Sequence, residues 1–148
     1  MKPSNKAELA LNGMVNLARR IPAEPISLAV LAEKQSISLS YLEQIFAALR
    51  RNGLVLSVRG PGGGYLLAQP ADSISTGDII DAVDEVTSDN LNPNDKGQLS
   101  SSVTTQQFWL VMRLQVLELF RQVTLQDLLD GSFQPLESSD ESTSHAAE

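Results

Sequence analysis

Residues 38–67 read SLSYLEQIFAALRRNGLVLSVRGPGGGYLL, and the order of signals within them decides the fold. Leu42, Ile45, Phe46 and Leu49 recur at helical spacing and form one apolar stripe, with Tyr41, Gln44, Ala48 and Arg51 largely on the opposite side. Ser40 and Glu43 have the spacing of a capping box that would open this helix. Arg50 and Arg51 make its end basic, and Asn52-Gly53 stops it, because glycine takes the left-handed conformation without steric cost. Leu54, Leu56 and Val58 then alternate with Val55, Ser57 and Arg59, the two-residue period of a strand. Gly60-Pro61-Gly62-Gly63-Gly64 reverses the chain, and Tyr65-Leu66-Leu67-Ala68 returns. The glycine run lacks the helix and the lysine-serine/threonine or GxGxxG spacing that a nucleotide-binding loop requires. A helix followed by a β-hairpin, with positive charge at the helix end and at the hairpin tip, is the layout of a winged helix. In such a module the helix enters the major groove of DNA and the hairpin reaches a neighbouring groove or the backbone.

Upstream, residues 6–20 suit a first helix, with Ala7, Leu9, Ala10, Met14, Leu17 and Ala18 near one face. Ile21-Pro22-Ala23-Glu24-Pro25 breaks it, since proline cannot continue the hydrogen-bond ladder. Ser27 is a good N-cap for a short second helix over 28–34, and 35–38 form a turn. Ala32 is small where the second and third helices would cross. Ser36 occupies a sharp turn that glycine would take more easily, so it carries some backbone strain or the turn is modified. This is a helix-turn-helix pattern.

Downstream, Ser75-Thr76-Gly77-Asp78 opens a further helix with a capping box, continued by Ile79, Ile80 and Val83. Residues 87–103, TSDNLNPNDKGQLSSSV, are rich in turn formers and without periodicity, which predicts a loop. From about 104 to 123 a long helix carries apolar residues on more than one face. Phe108, Trp109, Met112, Val116, Leu119, Phe120 and Val123 are the candidate contacts with a second copy of the chain, because so apolar a helix needs two surfaces to meet. Thr124 and Asp127 cap a last short turn before an acidic tail that need not fold. The expected organisation is a winged-helix domain over 1–84, a flexible loop over 85–103, a dimerisation helix and short terminal helix over 104–130, and a disordered tail over 131–148. The fold class is mainly α with one small β-hairpin.

Composition narrows the function further. The 148-residue chain suits one domain with an appendage, and its 42% hydrophobic content suffices for a packed interior. No apolar run approaches the roughly 20 residues needed to span a bilayer, and the opening residues lack the pattern of a signal peptide, so a cytoplasmic protein is expected. Cysteine is absent, which removes disulfides, thiolate catalysis and cysteine-ligated metal sites. The single histidine, His145, lies in the tail, which argues against imidazole-bound metal and leaves no expected cofactor. No nucleophile–base pair or paired carboxylates suggest an enzyme. The net charge of −7 divides unevenly: residues 1–69 hold eight Lys/Arg against four acids, net +4, and residues 70–148 hold three against fourteen, net −11. A basic binding module followed by an acidic part with another task fits that division.

SISLSYLEQIFAALRRNGLVLSVRGPGGGYLLA, together with ISTGDIIDAVDE and the tryptophan-bearing helix followed by VTLQDLL, closely resembles the iron–sulfur cluster regulator family of winged-helix transcription factors, the IscR and BadM type. The resemblance covers roughly residues 1–130. It implies a homodimer whose long helices pair and present two winged helices to a two-fold symmetric operator on double-stranded DNA. Cluster-binding members of that family carry three cysteines in the loop before the long helix and a histidine just after the last. Here the loop has serine, asparagine and lysine, and Gln106 stands about where the histidine would. Amides and hydroxyls do not replace thiolates on soft iron, so no [2Fe–2S] cluster is expected in the familiar way. The substitutions run across the whole loop, as in a natural clusterless member rather than an engineered apo form. A second departure is Ala7-Glu8-Leu9, where many relatives have glycine-arginine-tyrosine. Glu8 removes a phosphate contact and adds repulsion, for which Lys2 and Lys6 can compensate.

The expected function is a sequence-specific DNA-binding regulator, acting mainly as a repressor that occludes promoters. Ser38, Ser40, Tyr41 and Gln44 lie at the exposed start of the third helix, with Gln44 a candidate adenine reader and the hydroxyls bonding phosphate or base edges. Glu43 can accept from cytosine N4 or serve the helix cap. Arg59, with Gly60 and Pro61 at the wing turn, is expected in a minor groove or on phosphate, and Arg50 and Arg51 mostly on phosphate, unless one of the two pairs with an acid inside the domain. The alternative is a protein-interaction or sensor module of the same fold with weakened DNA affinity, regulated by a partner enzyme or a small molecule.

Overall fold

Five helices of this chain start at a side-chain hydroxyl that accepts a hydrogen bond from a backbone amide three residues on. The computed structural model describes residues 4–84 and 102–133. Within them Ser4 accepts from Ala7, Ser27 from Val30, Ser38 from Tyr41, Ser75 from Asp78 and Thr124 from Asp127, at 3.0–3.3 Å. Each such cap contributes about 0.5–2 kcal/mol by satisfying an otherwise orphaned N–H. The helices they open are α1 (Asn5–Ala18), α2 (Leu28–Gln35), α3 (Leu39–Arg51), α4 (Thr76–Val83) and, last, α6 (Leu125–Asp130). Between α4 and α6 runs the long α5 (Ser102–Arg121). The predicted loop over 87–103 therefore falls outside the described residues except for its last two positions, which are already helical. Lys2, His145 and the acidic tail also lie outside them.

The capping boxes expected at Ser75/Asp78 and Thr124/Asp127 are both present in full. The one expected at Ser40/Glu43 is not. The cap of α3 is Ser38, two residues earlier, with extended backbone (φ −67°, ψ 141°). The physical reason lies in the turn before it. Ser36 takes the left-handed conformation (φ 53°, ψ 45°), and the amides of Ser36 and Ile37 bond back to Glu33 and Ala32, so the chain is redirected early enough for Ser38 to start the helix. Ser36 thus holds the strained position expected of it, at a cost of about 1–2 kcal/mol for a residue with a Cβ. Ser40 and Glu43 become ordinary helical positions with exposed side chains.

Strand β1 (Val55–Val58) pairs antiparallel with β2 (Gly64–Leu67), matching Val55 to Leu67, Leu56 to Leu66, Ser57 to Tyr65 and Val58 to Gly64. The alternation divides the hairpin: Val55 is buried, whereas Leu56 and Val58 are exposed on the outer face. The free edge of β2 is tied to the chain before α2 by reciprocal bonds, Ile26 N to Tyr65 O at 3.1 Å and Tyr65 N to Ile26 O at 2.9 Å.

The core joins Leu9, Ala10 and Met14 of α1, Leu31 of α2, Leu42, Ile45, Phe46 and Leu49 of α3, Ile79 and Val83 of α4, Leu117 of α5 and Leu125 of α6. α3 is held by α1, α2, α4 and β1. That enclosure corrects the expected outer position of Ala48, which is buried, and turns Tyr41 partly inward against the core. α4 crosses α5 closely at Gly77, where a Cβ would stand 2.8 Å from Arg121 N and 3.0 Å from Leu117 O. The chain then returns: Thr76 N bonds Val123 O and Leu125 N bonds Ile74 O, each at 2.8 Å, and α6 settles against α1.

Candidate nucleic-acid interface

The exposed start of α3 is built by the Ser38 cap. Its Oγ accepts from Tyr41 N at 3.2 Å, which leaves the hydroxyl proton available to a ligand. Ser40, Glu43 and Gln44 are exposed one after another along the outer side, and none of their side chains bonds another described residue. Release of Glu43 from any capping duty leaves its carboxylate as an acceptor facing outward. At the other end of the helix Arg50 and Arg51 are exposed, and Arg50 has no ion-pair partner among the described residues.

The wing is positioned against this helix from within. Tyr65, on the inner face of β2, meets Phe46 of α3 edge to face, with ring centroids 5.1 Å apart and planes at 62°. Such a pair adds about 0.5–1.5 kcal/mol beyond its buried area. Leu54 N also bonds Leu49 O at 3.0 Å, so helix and strand are joined by a short, fixed turn. The tip carries Arg59, Gly60 and Pro61, all exposed, and Gly63 N closes the turn onto Gly60 O at 2.9 Å. Gly60 and Gly62 have φ of 98° and 75°, which side chains resist. Arg59 has no partner among the described residues. Lys6 of α1 is half-buried, and Glu8 is exposed in the first turn of α1. Sequence reasoning missed Tyr65 and Ile26, the residues that orient the wing. The aromatic after the last glycine was the available signal.

Away from this face, α5 shows a band of uncovered apolar side chains. Trp109 is 66% exposed, Phe108 51% and Leu114 50%, with Val111 and Leu119 also exposed. Phe108 and Trp109 touch edge to face at 5.3 Å. Met112, Val116, Phe120 and Val123 are half-buried, and Phe120 packs on the core of its own domain. Arg113 donates to Asp84 O at 3.1 Å, and Asp84 in turn accepts from the Ser4 hydroxyl at the start of α1.

Residues 3–131 match the family model of Rrf2, described as an iron-dependent transcriptional regulator. The chain belongs to the Rrf2 family. It is similar to the HTH-type transcriptional regulator IscR of Citrobacter koseri, 40% identical over 149 residues that cover 99% of this chain and 90% of that protein. Against IscR of Escherichia coli, identity rises to 54% over 85 residues, 57% of this chain and 52% of the relative. Among solved structures, T. potens IscR is 34% identical with a TM-score of 0.65 and 93% of each chain covered. CymR, the global cysteine regulator of B. subtilis, is 32% identical with a TM-score of 0.65, covering 88% of this chain and 98% of that one. This Rrf2 chain is thus a winged-helix transcription regulator rather than an enzyme. Among its described residues no helix is long and apolar enough to cross a membrane.

An iron cluster is implied by the family's description, and the donor set of this chain does not fit one held by thiolates. No position of the 148 is cysteine, and among the described residues no three His, Cys, Asp or Glu side chains converge on a possible metal position. Iron–sulfur ligation rests on thiolates, helped in some centres by imidazole.

Proposed function

We propose that this Rrf2 regulator binds a two-fold symmetric operator as a homodimer, represses by occupying promoters, and does so without an iron–sulfur cluster. The observation that carries the reading is the combination of Arg59 at the wing tip, without a partner among the described residues, with an open row of polar side chains at the start of α3. Ser38, Ser40, Tyr41, Glu43 and Gln44 would read base edges and nearby phosphates. Arg50, Arg51, Lys6 and Lys2 would neutralise phosphate, and Arg59 with Gly60 and Pro61 would enter the minor groove or meet the backbone. The exposed band of α5 would pair with the same band of a second copy, since contiguous uncovered apolar surface of this kind marks an interface. Residues 1–84 then act as the reading head and 104–130 as the dimerisation segment, followed by the acidic residues of 131–148. The site of action is the cytoplasm.

The exposed Glu8 supports a second reading, a protein-interaction module of the same fold with reduced DNA affinity, because its charge opposes phosphate. Selection from fragmented genomic DNA with the full chain separates the two. Enrichment of a palindromic sequence is expected. No enrichment, together with a stoichiometric protein partner recovered by pull-down, would replace the regulator with the module.

A further inference from the structure

We propose that Leu39 is a specificity-determining residue that reads a thymine through its 5-methyl group. The inference rests on the DNA-binding reading above and adds to it an apolar contact among polar ones. Leu39 is the first residue of α3, flanked by the exposed Ser38 and Ser40. It lies one turn before Leu42, yet Leu42 is fully buried while Leu39 is 42% exposed, because the first helical position extends beyond the edge of the core. Leu39, Glu43 and Arg50 are separated by four and seven residues, which puts them on one narrow flank of the helix at 100° per residue. That flank thus begins with an apolar side chain, continues with an acceptor and ends with an unpartnered cation.

A duplex strand crossing this flank would meet the features in a matching order. The cation suits a phosphate, the carboxylate suits the amino group of cytosine, and the apolar end suits the methyl group that only thymine presents in the major groove. Hydroxyls on either side cannot supply that contact, since a hydroxyl donates or accepts a hydrogen bond but gains nothing from a methyl group. Leaving a leucine half in water is unfavourable in the free protein, and covering it against a methyl recovers apolar burial at the moment of recognition.

The test uses the full chain and the operator recovered by selection, with each thymine of a half-site replaced in turn by deoxyuridine, which deletes only the methyl. Affinities are measured by fluorescence anisotropy at fixed salt. One position per half-site is expected to weaken wild-type binding about fourfold, the effect of about 0.8 kcal/mol for one buried methyl-sized group. Leu39→Ala is expected to bind the unmodified operator with a similar loss and to be insensitive to uridine at that position. Tight operator binding with no position at which the two proteins respond differently would overturn the proposal and leave the regulator reading standing. Selected half-sites without an invariant thymine would also overturn it. Failure to recover any operator would remove both readings together.

Discussion

Replacing Gly64 by alanine is expected to unfasten the wing from the body. A Cβ there would stand 2.2 Å from Ile26 O, 2.3 Å from Ile26 C and 2.7 Å from Ser27 N, all of them backbone atoms. Non-bonded carbon and oxygen atoms settle at about 3.5 Å, so the strand has to retreat by about 1 Å. That distance opens the bonds between Ile26 and Tyr65, now 3.1 and 2.9 Å, and loosens the Tyr65–Phe46 ring contact. Two backbone bonds at about 0.5–1.5 kcal/mol each, an aromatic contact of about 0.5–1.5 kcal/mol, and about 1–3 kcal/mol for the strain of a side chain at φ 152° sum to about 3–7 kcal/mol. Gly62→Ala is the control. Gly62 also has positive φ, 75°, but nothing lies within 4 Å of its would-be Cβ, so only the conformational cost of about 1–2 kcal/mol applies. Thermal melts followed by circular dichroism should therefore fall by roughly 10 °C or more for Gly64→Ala and by roughly 2–6 °C for Gly62→Ala. Equal melting temperatures for the two variants would refute the steric argument, and with it the claim that Ile26 anchors the wing.

Four further substitutions test the rest of the arrangement. Arg59→Ala is expected to weaken operator binding by about 1–3 kcal/mol in anisotropy titrations, and Arg50→Ala to flatten the dependence of log affinity on log salt by about one unit. Unchanged affinity removes Arg59 from the interface, and an unchanged slope removes Arg50 from the phosphates. Trp109→Glu puts a charge into the exposed band of α5 and should yield a monomer in sedimentation equilibrium; a dimer that persists locates the subunit contact elsewhere. Gly77→Ala should cost about 1–3 kcal/mol in urea titrations by forcing α4 from the backbone of α5, and a variant as stable as the parent would show that this crossing tolerates a methyl.

Most element boundaries were legible because their signals are local. A hydroxyl before an apolar periodic run marks a helix start wherever it occurs, and the caps at Ser27, Ser75 and Thr124 follow directly from that chemistry. The cap of α3 was misread for the same reason. Ser38 and Ser40 offer the same group, and Ser40 has the added lure of Glu43 three residues on. Only the left-handed turn at Ser36, fixed by bonds back to α2, decides between them. The buried place of Ala48 was illegible from α3 alone, since it depends on how many elements surround the helix. The anchoring of the wing by Ile26 links positions 39 residues apart and leaves no periodic trace. The exposure of Ser38, Ser40, Glu43, Gln44 and Arg59 was legible because polar side chains of a helix start and a turn face water, whereas Tyr65 and Ile26 beneath them are defined by contacts.

The division of charge explains how a chain of net charge −7 can still address DNA. Among the described residues of the acidic half, the carboxylates are largely engaged in the structure. Asp78 and Asp127 complete capping boxes, Asp81 lies 3.7 Å from Arg121, Glu118 lies 3.4 Å from the same guanidinium, and Asp84 accepts from Ser4. These acids sit on α4 and its C-cap, α5 and α6, and none of them is on α3 or the wing. In the basic half Arg20 pairs with Glu24 at 3.0 Å, but Lys6, Arg50 and Arg59 have no ion-pair partner among the described residues. Exposed charges more than about 10 Å apart are largely screened at moderate ionic strength. The local field at α3 and the wing then decides the encounter with phosphate, and the total charge governs solubility and the rejection of non-specific contacts. Moving a single acid onto the reading face should accordingly harm affinity more than adding several to α6, and Ser40→Asp compared with Gln126→Glu measures that difference at one ionic strength.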